Sequence, residues 1–386
     1  MTLETPAHAP KNDFIEWCRG FAVMTVVIYH YTDRLPPEAL NSTVAPTVQF
    51  GLGKIGVAIF FVISGFLITQ SMQRSRTMAS FYAKRISRIW PLFIAACVFT
   101  FVFLQIFEAP RVLDGAKRFY VEERDLLDLV GSILFLEDLP GIQWIDGAYW
   151  SIVSELKFYL WICILYVLFP RRFDLVLGVV AVLISSVSAL DALKLLDGPA
   201  EMGATILNGI FVAKYACFFA VGVLLARQRY DVTLLANVLL CVLVTLTIGL
   251  ENPNLTVVSF VKFGIGYALF VLADHWLLRG AVFRYIGRYS YGLYLFHQMI
   301  GLTIISALTP AVGIDAAIVG AFLVVMAITV VMSEAVEWRF RKPVEKLLER
   351  IFGLLGLAVV LPGRASQGDG AKGMAPAPTT PVPGGP

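Results

Sequence analysis

Charge is the scarce quantity in this chain. Only 15% of its 386 residues are Asp, Glu, Lys or Arg, against about 25% in a water-soluble domain. With 58% hydrophobic residues and a mean hydropathy of +0.75, that shortage excludes an ordinary soluble fold. Cysteine pairs are missing as well. The five cysteines, at 18, 97, 163, 217 and 241, form no CxxC and lie in or at apolar segments. This pattern excludes a disulfide framework and a zinc site, and no metal is expected. The first 13 residues are polar and contain proline, and the first apolar run holds an arginine, so no cleavable signal peptide is expected. The net charge is only +3, and nucleic acid is not an expected partner.

What the chain has is long apolar runs. A helix needs about 20 such residues to cross a bilayer. Ten candidates occur, at 14–32, 53–72, 89–109, 149–169, 173–190, 208–226, 232–250, 255–277, 289–308 and 315–337. With the N-terminus cytoplasmic, the cytoplasmic segments carry 17 Lys and Arg and the opposite loops 7. The positive-inside rule then gives an all-α polytopic helix bundle of about ten transmembrane helices with both termini cytoplasmic. Residues 1–13 are a cytoplasmic tail, 14–343 the transmembrane domain, and 344–361 a helix on the membrane surface. Residues 362–386, rich in Gly, Pro, Ala and Thr, are expected to be disordered. The stretch 126–138, too short to span and bounded by acids, suits an interfacial or re-entrant piece.

Polar residues inside the runs point to function. In "RGFAVMTVVIYH", Arg19 and His30 are eleven residues apart. At about 100° per residue they fall on one helical face, about 16 Å apart along the axis. The plain alternative is that Arg19 snorkels to the headgroups while His30 bonds a backbone carbonyl. In "YWSIVSELKFYLW", Ser151, Glu155 and Tyr159 share a face, with Trp150 at the start. Glu155 falls near the depth of His30, so a His30–Glu155 pair is expected, the carboxylate orienting the imidazole of a general base. A basic residue such as Lys157, Lys214 or Lys262 is the alternative partner of Glu155, with Lys157 poorly placed about 200° around the helix.

Three further motifs complete the constellation. Arg85 and Arg88 in "FYAKRISRIWP" are neighbours on a helix and suit phosphate groups, although positive-inside charge alone accounts for them too. Ser64-Gly65 in "FFVISGFLIT" allows close helix approach. The run "YSYGLYLFHQ" places His297 near mid-membrane, with Tyr294 a turn away.

Taken together, in this order, these motifs resemble the acyltransferase-3 family of integral-membrane acyltransferases. The resemblance runs from residue 19 to about 298. It implies transfer of an acyl group, often acetyl, from cytoplasmic acyl-CoA to a hydroxyl of an envelope or exported acceptor such as a glycan or a lipid-linked sugar. It maps the family's Arg–x10–His onto Arg19 and His30, its Arg-x-x-Arg onto Arg85 and Arg88, and its acidic residue onto Glu155. It also implies an inner-membrane location, acyl-CoA as co-substrate and no permanently bound cofactor. The larger members carry a soluble hydrolase-like domain after the last span, and none is expected in this sequence.

The expected site therefore has His30 as base or acyl carrier, supported by Glu155. Arg19, Arg85, Arg88, Ser64, Trp150, Ser151, Tyr159, Tyr294 and His297 bind the substrates. The rival class is a transporter or flippase of a lipid-linked sugar, which uses the same buried charges and needs no acyl donor.

Overall fold

The computed structural model describes residues 10–34, 53–107, 112–113, 119–120, 124–136, 140–250 and 280–361. Apart from a two-stranded ribbon of Val112–Leu113 and Phe119–Tyr120, it is helical. The helices are α1 (Pro10–Thr32), α2 (Gly53–Arg74), α3 (Met78–Ile106), α4 (Leu126–Leu134), α5 (Trp150–Leu168), α6 (Phe173–Ala192) and α7 (Gly198–Phe211). They continue with α8 (Ala213–Ala226), α9 (Val232–Leu250), α10 (Ala281–Arg288), α11 (Ser290–Phe296), α12 (Gln298–Val312), α13 (Ile314–Met332) and α14 (Trp338–Leu354).

Among the described residues, five helices are long and apolar enough to cross a membrane. They rise to seven when two bent pairs each count as one span: α7 with α8, bent by 45°, and α11 with α12, bent by 59°. The run 255–277 and the tail 362–386 lie outside the described residues. Helices α6, α9 and α13 turn Leu183, Leu239 and Leu323 outward, each about 61% exposed, as a lipid-facing surface requires.

Local chemistry explains several boundaries. Thr77 caps α3 by accepting from Ser80 N–H (3.1 Å), so the basic segment before Trp90 is the first turns of a helix, not a loop. At the start of 126–138, Asp125 and Asp128 form a reciprocal capping box that begins α4. Helix α13 passes through a π-helical turn, Ser333–Glu337, into α14. Helix α14 lies along α3, and the strand-like tail after it returns to the α3 start, where Met78 N–H donates to Val359 O (2.9 Å).

Close helix contact at Ser64-Gly65 is present. Helices α2 and α8 cross with Gly65 against Phe219 and Gly222 against Val62; a Cβ would come within 2.2 Å and 2.0 Å of the respective carbonyl oxygens. Both glycines let the backbones approach, which is the main source of helix affinity in lipid. Gly222→Ala is therefore expected to cost about 1–3 kcal/mol, the usual penalty of overpacking. The melting temperature of the purified protein should fall accordingly, while Gly203→Ala, whose new methyl meets nothing within 4 Å, should leave it unchanged or raise it.

Candidate active site

The break between α11 and α12 organises the site. In a straight helix Met299 N–H would bond Leu295 O. Here it donates to Asp146 Oδ2 (2.9 Å), and Leu295 O accepts from Tyr149 Oη (3.3 Å). Asp146 also caps the turn leading into α5, accepting from Ala148 N–H (2.9 Å). Ser151 donates to Tyr294 Oη (2.7 Å), which donates to Ala148 O (2.9 Å). Every backbone group freed at these positions thus finds a side-chain partner, as a buried break demands. Asp146, 1% exposed, went unnoticed in the sequence; its signal was an acid just before a helix start.

The break also gives His297 its partners. Its Nδ1 lies 2.7 Å from Tyr294 O, and its Nε2 lies 3.2 Å from His30 Nδ1. His30 Nδ1 is in turn 2.9 Å from Val26 O. A carbonyl oxygen only accepts, so both Nδ1 atoms carry the proton. His297 Nε2 then accepts from His30 Nδ1–H, and the lone pair of His30 is left on Nε2. The two rings are buried and meet edge to face, 4.8 Å apart.

Glu155 stands elsewhere, which corrects the expected His30–Glu155 pair. Its Oε1 accepts from Ser64 Oγ and Tyr159 Oη, each at 2.5 Å. These residues line a cavity of about 90 Å³ together with Arg19, Arg85, Arg88, Ser151 and Tyr294. The reason is rotational: the face of α5 that carries Glu155 turns toward α2 and the start of α3, while His30 faces the broken helix. The partner of His30 is His297, which sequence reasoning had placed among substrate-binding residues. Trp150 is absent from the cavity wall and packs between Phe61 and Tyr215. Among the described residues Glu155 pairs with no lysine, and Lys262 lies outside them.

Three guanidinium groups meet one carboxylate on the cavity wall. Arg19 and Arg88 make no hydrogen bond or ion pair with any described residue. Arg85 donates to Leu67 O (3.3 Å) and lies 5.8 Å over the Tyr159 ring, leaving its buried Nε without a partner. Such unspent donors fit an anion or a polarised carbonyl. Tyr294 joins the two halves of the site: it lines the cavity, its carbonyl holds His297, and its ring is 5.5 Å from that of His297. No cluster of His, Cys, Asp or Glu able to hold a metal occurs among the described residues.

A family model described as an acyltransferase domain, that of the acyltransferase-3 family, matches residues 12–334. The chain belongs to this family. It therefore carries an acyltransferase domain on a frame with five to seven candidate membrane spans among the described residues. Three curated relatives are similar over shorter stretches. Nodulation protein 10 of Rhizobium leguminosarum bv. viciae is 42% identical over 23% of this chain and 24% of its own length. The O-acetyl transferase of Shigella phage Sf6 is 28% identical over 39% of this chain and 44% of its own. A putative acetyltransferase, ORF330, of Acidianus two-tailed virus is 27% identical over 42% and 43%. The chain thus spans less than half the length of each. No solved structure matches it.

Glu155→Gln tests the charge balance of this acyltransferase site. The change removes the one carboxylate on the cavity wall and leaves only the buried Glu337, beside Arg19 and Arg88, to offset its three guanidinium groups. The variant should melt below wild type in anion-poor buffer and recover more than wild type when tripolyphosphate is added. An identical anion response would contradict that balance.

Proposed function

We propose that the protein is an inner-membrane O-acyltransferase that moves an acyl group, acetyl by preference, from cytoplasmic acyl-CoA to a hydroxyl of a cell-envelope or exported glycan. The observation that carries this reading is the pair of half-sites joined at Tyr294: a guanidinium-lined cavity on one side and a histidine base on the other. The phage O-acetyl transferase and the viral putative acetyltransferase to which the chain is similar support the acetyl group.

In this reading Arg85 and Arg88 hold the phosphates of CoA and Arg19 draws the thioester end into the bundle. Glu155, held by Ser64 and Tyr159, offsets the charge of the arginines and does not orient His30. His30 Nε2 takes the proton of the acceptor hydroxyl, and the oxygen attacks the thioester carbonyl carbon. The C–S bond breaks, and the CoA thiolate leaves and receives the proton from His30. His297 sets the tautomer that leaves the lone pair on Nε2, the task a carboxylate performs in other histidine dyads.

The two halves should separate in kinetics. A charge-assisted hydrogen bond is worth about 1.5–3 kcal/mol, so Arg88→Ala should raise the KM for acetyl-CoA by about 10- to 150-fold and keep measurable turnover at saturating donor. His30→Ala should leave donor affinity, read by calorimetry, nearly intact while kcat falls by about 10²–10⁴. Loss of CoA binding in His30→Ala with none in Arg88→Ala would overturn the assignment.

Orientation is checked separately. The side chains of Leu195 and Tyr230 are 66% and 75% exposed and fall on opposite sides by the loop-charge rule. In a cysteine-free background, Leu195→Cys should react with a membrane-impermeant maleimide in intact cells, and Tyr230→Cys only after permeabilisation. The reverse pattern would move the donor site to the other side.

A further inference from the structure

Six hydroxyl groups stand on the wall of the guanidinium-lined cavity, those of Ser64, Ser151, Tyr159, Ser290, Tyr291 and Tyr294. Five of them spend their single hydrogen inside the protein. Ser64 and Tyr159 donate to Glu155. Ser151 donates to Tyr294 Oη (2.7 Å), which donates to Ala148 O (2.9 Å). Tyr291 donates to Ile89 O (2.8 Å). Ser290 is different. It is 0% exposed, it lines the cavity, and its Oγ has no partner among the described residues. Thr329 and Ser333 also hold unpartnered buried hydroxyls, but neither lines the cavity.

The backbone explains why this hydroxyl is free. A buried serine or threonine in a helix often donates to the carbonyl four residues back. Thr69, Thr303 and Thr309 do so here, to Gly65 O, Met299 O and Ile305 O. At Ser290 the helix is interrupted. Helix α10 ends at Arg288, and Tyr289 departs from helical geometry at φ −100°, ψ 7°. Its N–H takes Ile286 O (3.1 Å), the carbonyl that Ser290 would use in a continuous helix. Ser290 then opens α11 with its hydrogen uncommitted. An unpaired buried donor is costly, so the arrangement favours a ligand oxygen that accepts from it.

Placement and charge indicate which oxygen. Ser290 is one turn before Tyr294, whose carbonyl holds His297, so it lies on the helix that leads to the base. Arg85 and Arg88 stand across the cavity wall on α3. Guanidinium groups supply the charge that phosphates demand. A neutral hydroxyl suits an oxygen that is uncharged when bound and becomes negative during the reaction. A donor fixed in advance in a water-poor site acts most strongly on such an oxygen.

We propose that Ser290 is a catalytic donor whose hydroxyl, with Arg19, holds the thioester carbonyl oxygen of the acyl donor. As the acceptor oxygen attacks the carbonyl carbon, one electron pair of the C=O bond moves onto the carbonyl oxygen. Ser290 Oγ–H stabilises that oxyanion and keeps its proton. The pair returns as the C–S bond breaks and the thiolate leaves. This role rests on the acyl-transfer reading above.

The first test uses the full chain in lipid nanodiscs and needs no acceptor. Isotope-edited infrared spectra of bound acetyl-CoA, labelled with carbon-13 at the carbonyl, read the hydrogen bond to that oxygen. The C=O stretch should lie lower in wild type than in Ser290→Ala. Ser290→Thr, which keeps a hydroxyl, should restore much of the lowering. Calorimetric affinity for CoA should be the same in all three, which also reports that they fold. With radiolabelled acetyl-CoA and isolated cell-envelope glycans as acceptor, Ser290→Ala should lower kcat by about 10²–10³ at an unchanged KM for acetyl-CoA. Equal stretches in wild type and Ser290→Ala would overturn the proposal and leave the donor reading standing. So would a raised KM with kcat intact, which places the hydroxyl on a group bound equally before and during the reaction. Failure of the wild type to bind acetyl-CoA would overturn the donor reading itself, and this role with it.

Discussion

The structure depends on one interrupted helix. Between Phe296 and Gln298 the backbone bends by 59°, and the freed groups are taken up by Asp146, Tyr149 and the His297 ring itself. In a medium without water an unpaired backbone group costs several kcal/mol, so the break persists only because these partners are in place. Once it exists, Tyr294 O is open to hold an imidazole, and His297 is aimed at α1. The loop entering α5 is thus the brace that sets the direction of the His297 imidazole on a different helix.

The same economy explains where the charges sit. A cation at mid-membrane costs at least about 2.5–3.5 kcal/mol, and three guanidinium groups line one small cavity with a single carboxylate on its wall. Glu155 spends one oxygen on Ser64 and Tyr159, so it offsets the cluster without pairing tightly to any arginine. A tight Arg–Glu bridge would have lowered the cost of burial and tied up the guanidinium donors.

Much of this was legible in the residues, and the limits have physical reasons. Helical periodicity placed Arg19 and His30 on one face and Arg85 beside Arg88, because spacing within one helix fixes relative direction. It also marked Ser64-Gly65 as a close approach. Partnership across helices is another matter. Glu155 was matched to His30 by depth alone, but the rotation of α5 about its axis is set by packing that no single helix encodes. The His297–His30 bond depends on a bend that looks, in sequence, like an ordinary apolar run. Asp146 went unnoticed, since nothing local says that it reaches a backbone amide 153 residues away.

The central claim is the tautomer of the histidine pair. With only four histidines in the chain, nitrogen NMR of histidine-labelled protein in nanodiscs reads it directly, with His30→Gln and His297→Gln assigning the signals. The account requires Nδ1 of both His30 and His297 to be protonated and both Nε2 atoms to show the shift of an unprotonated ring nitrogen. A proton on His30 Nε2 in the resting protein would remove the base and contradict the account.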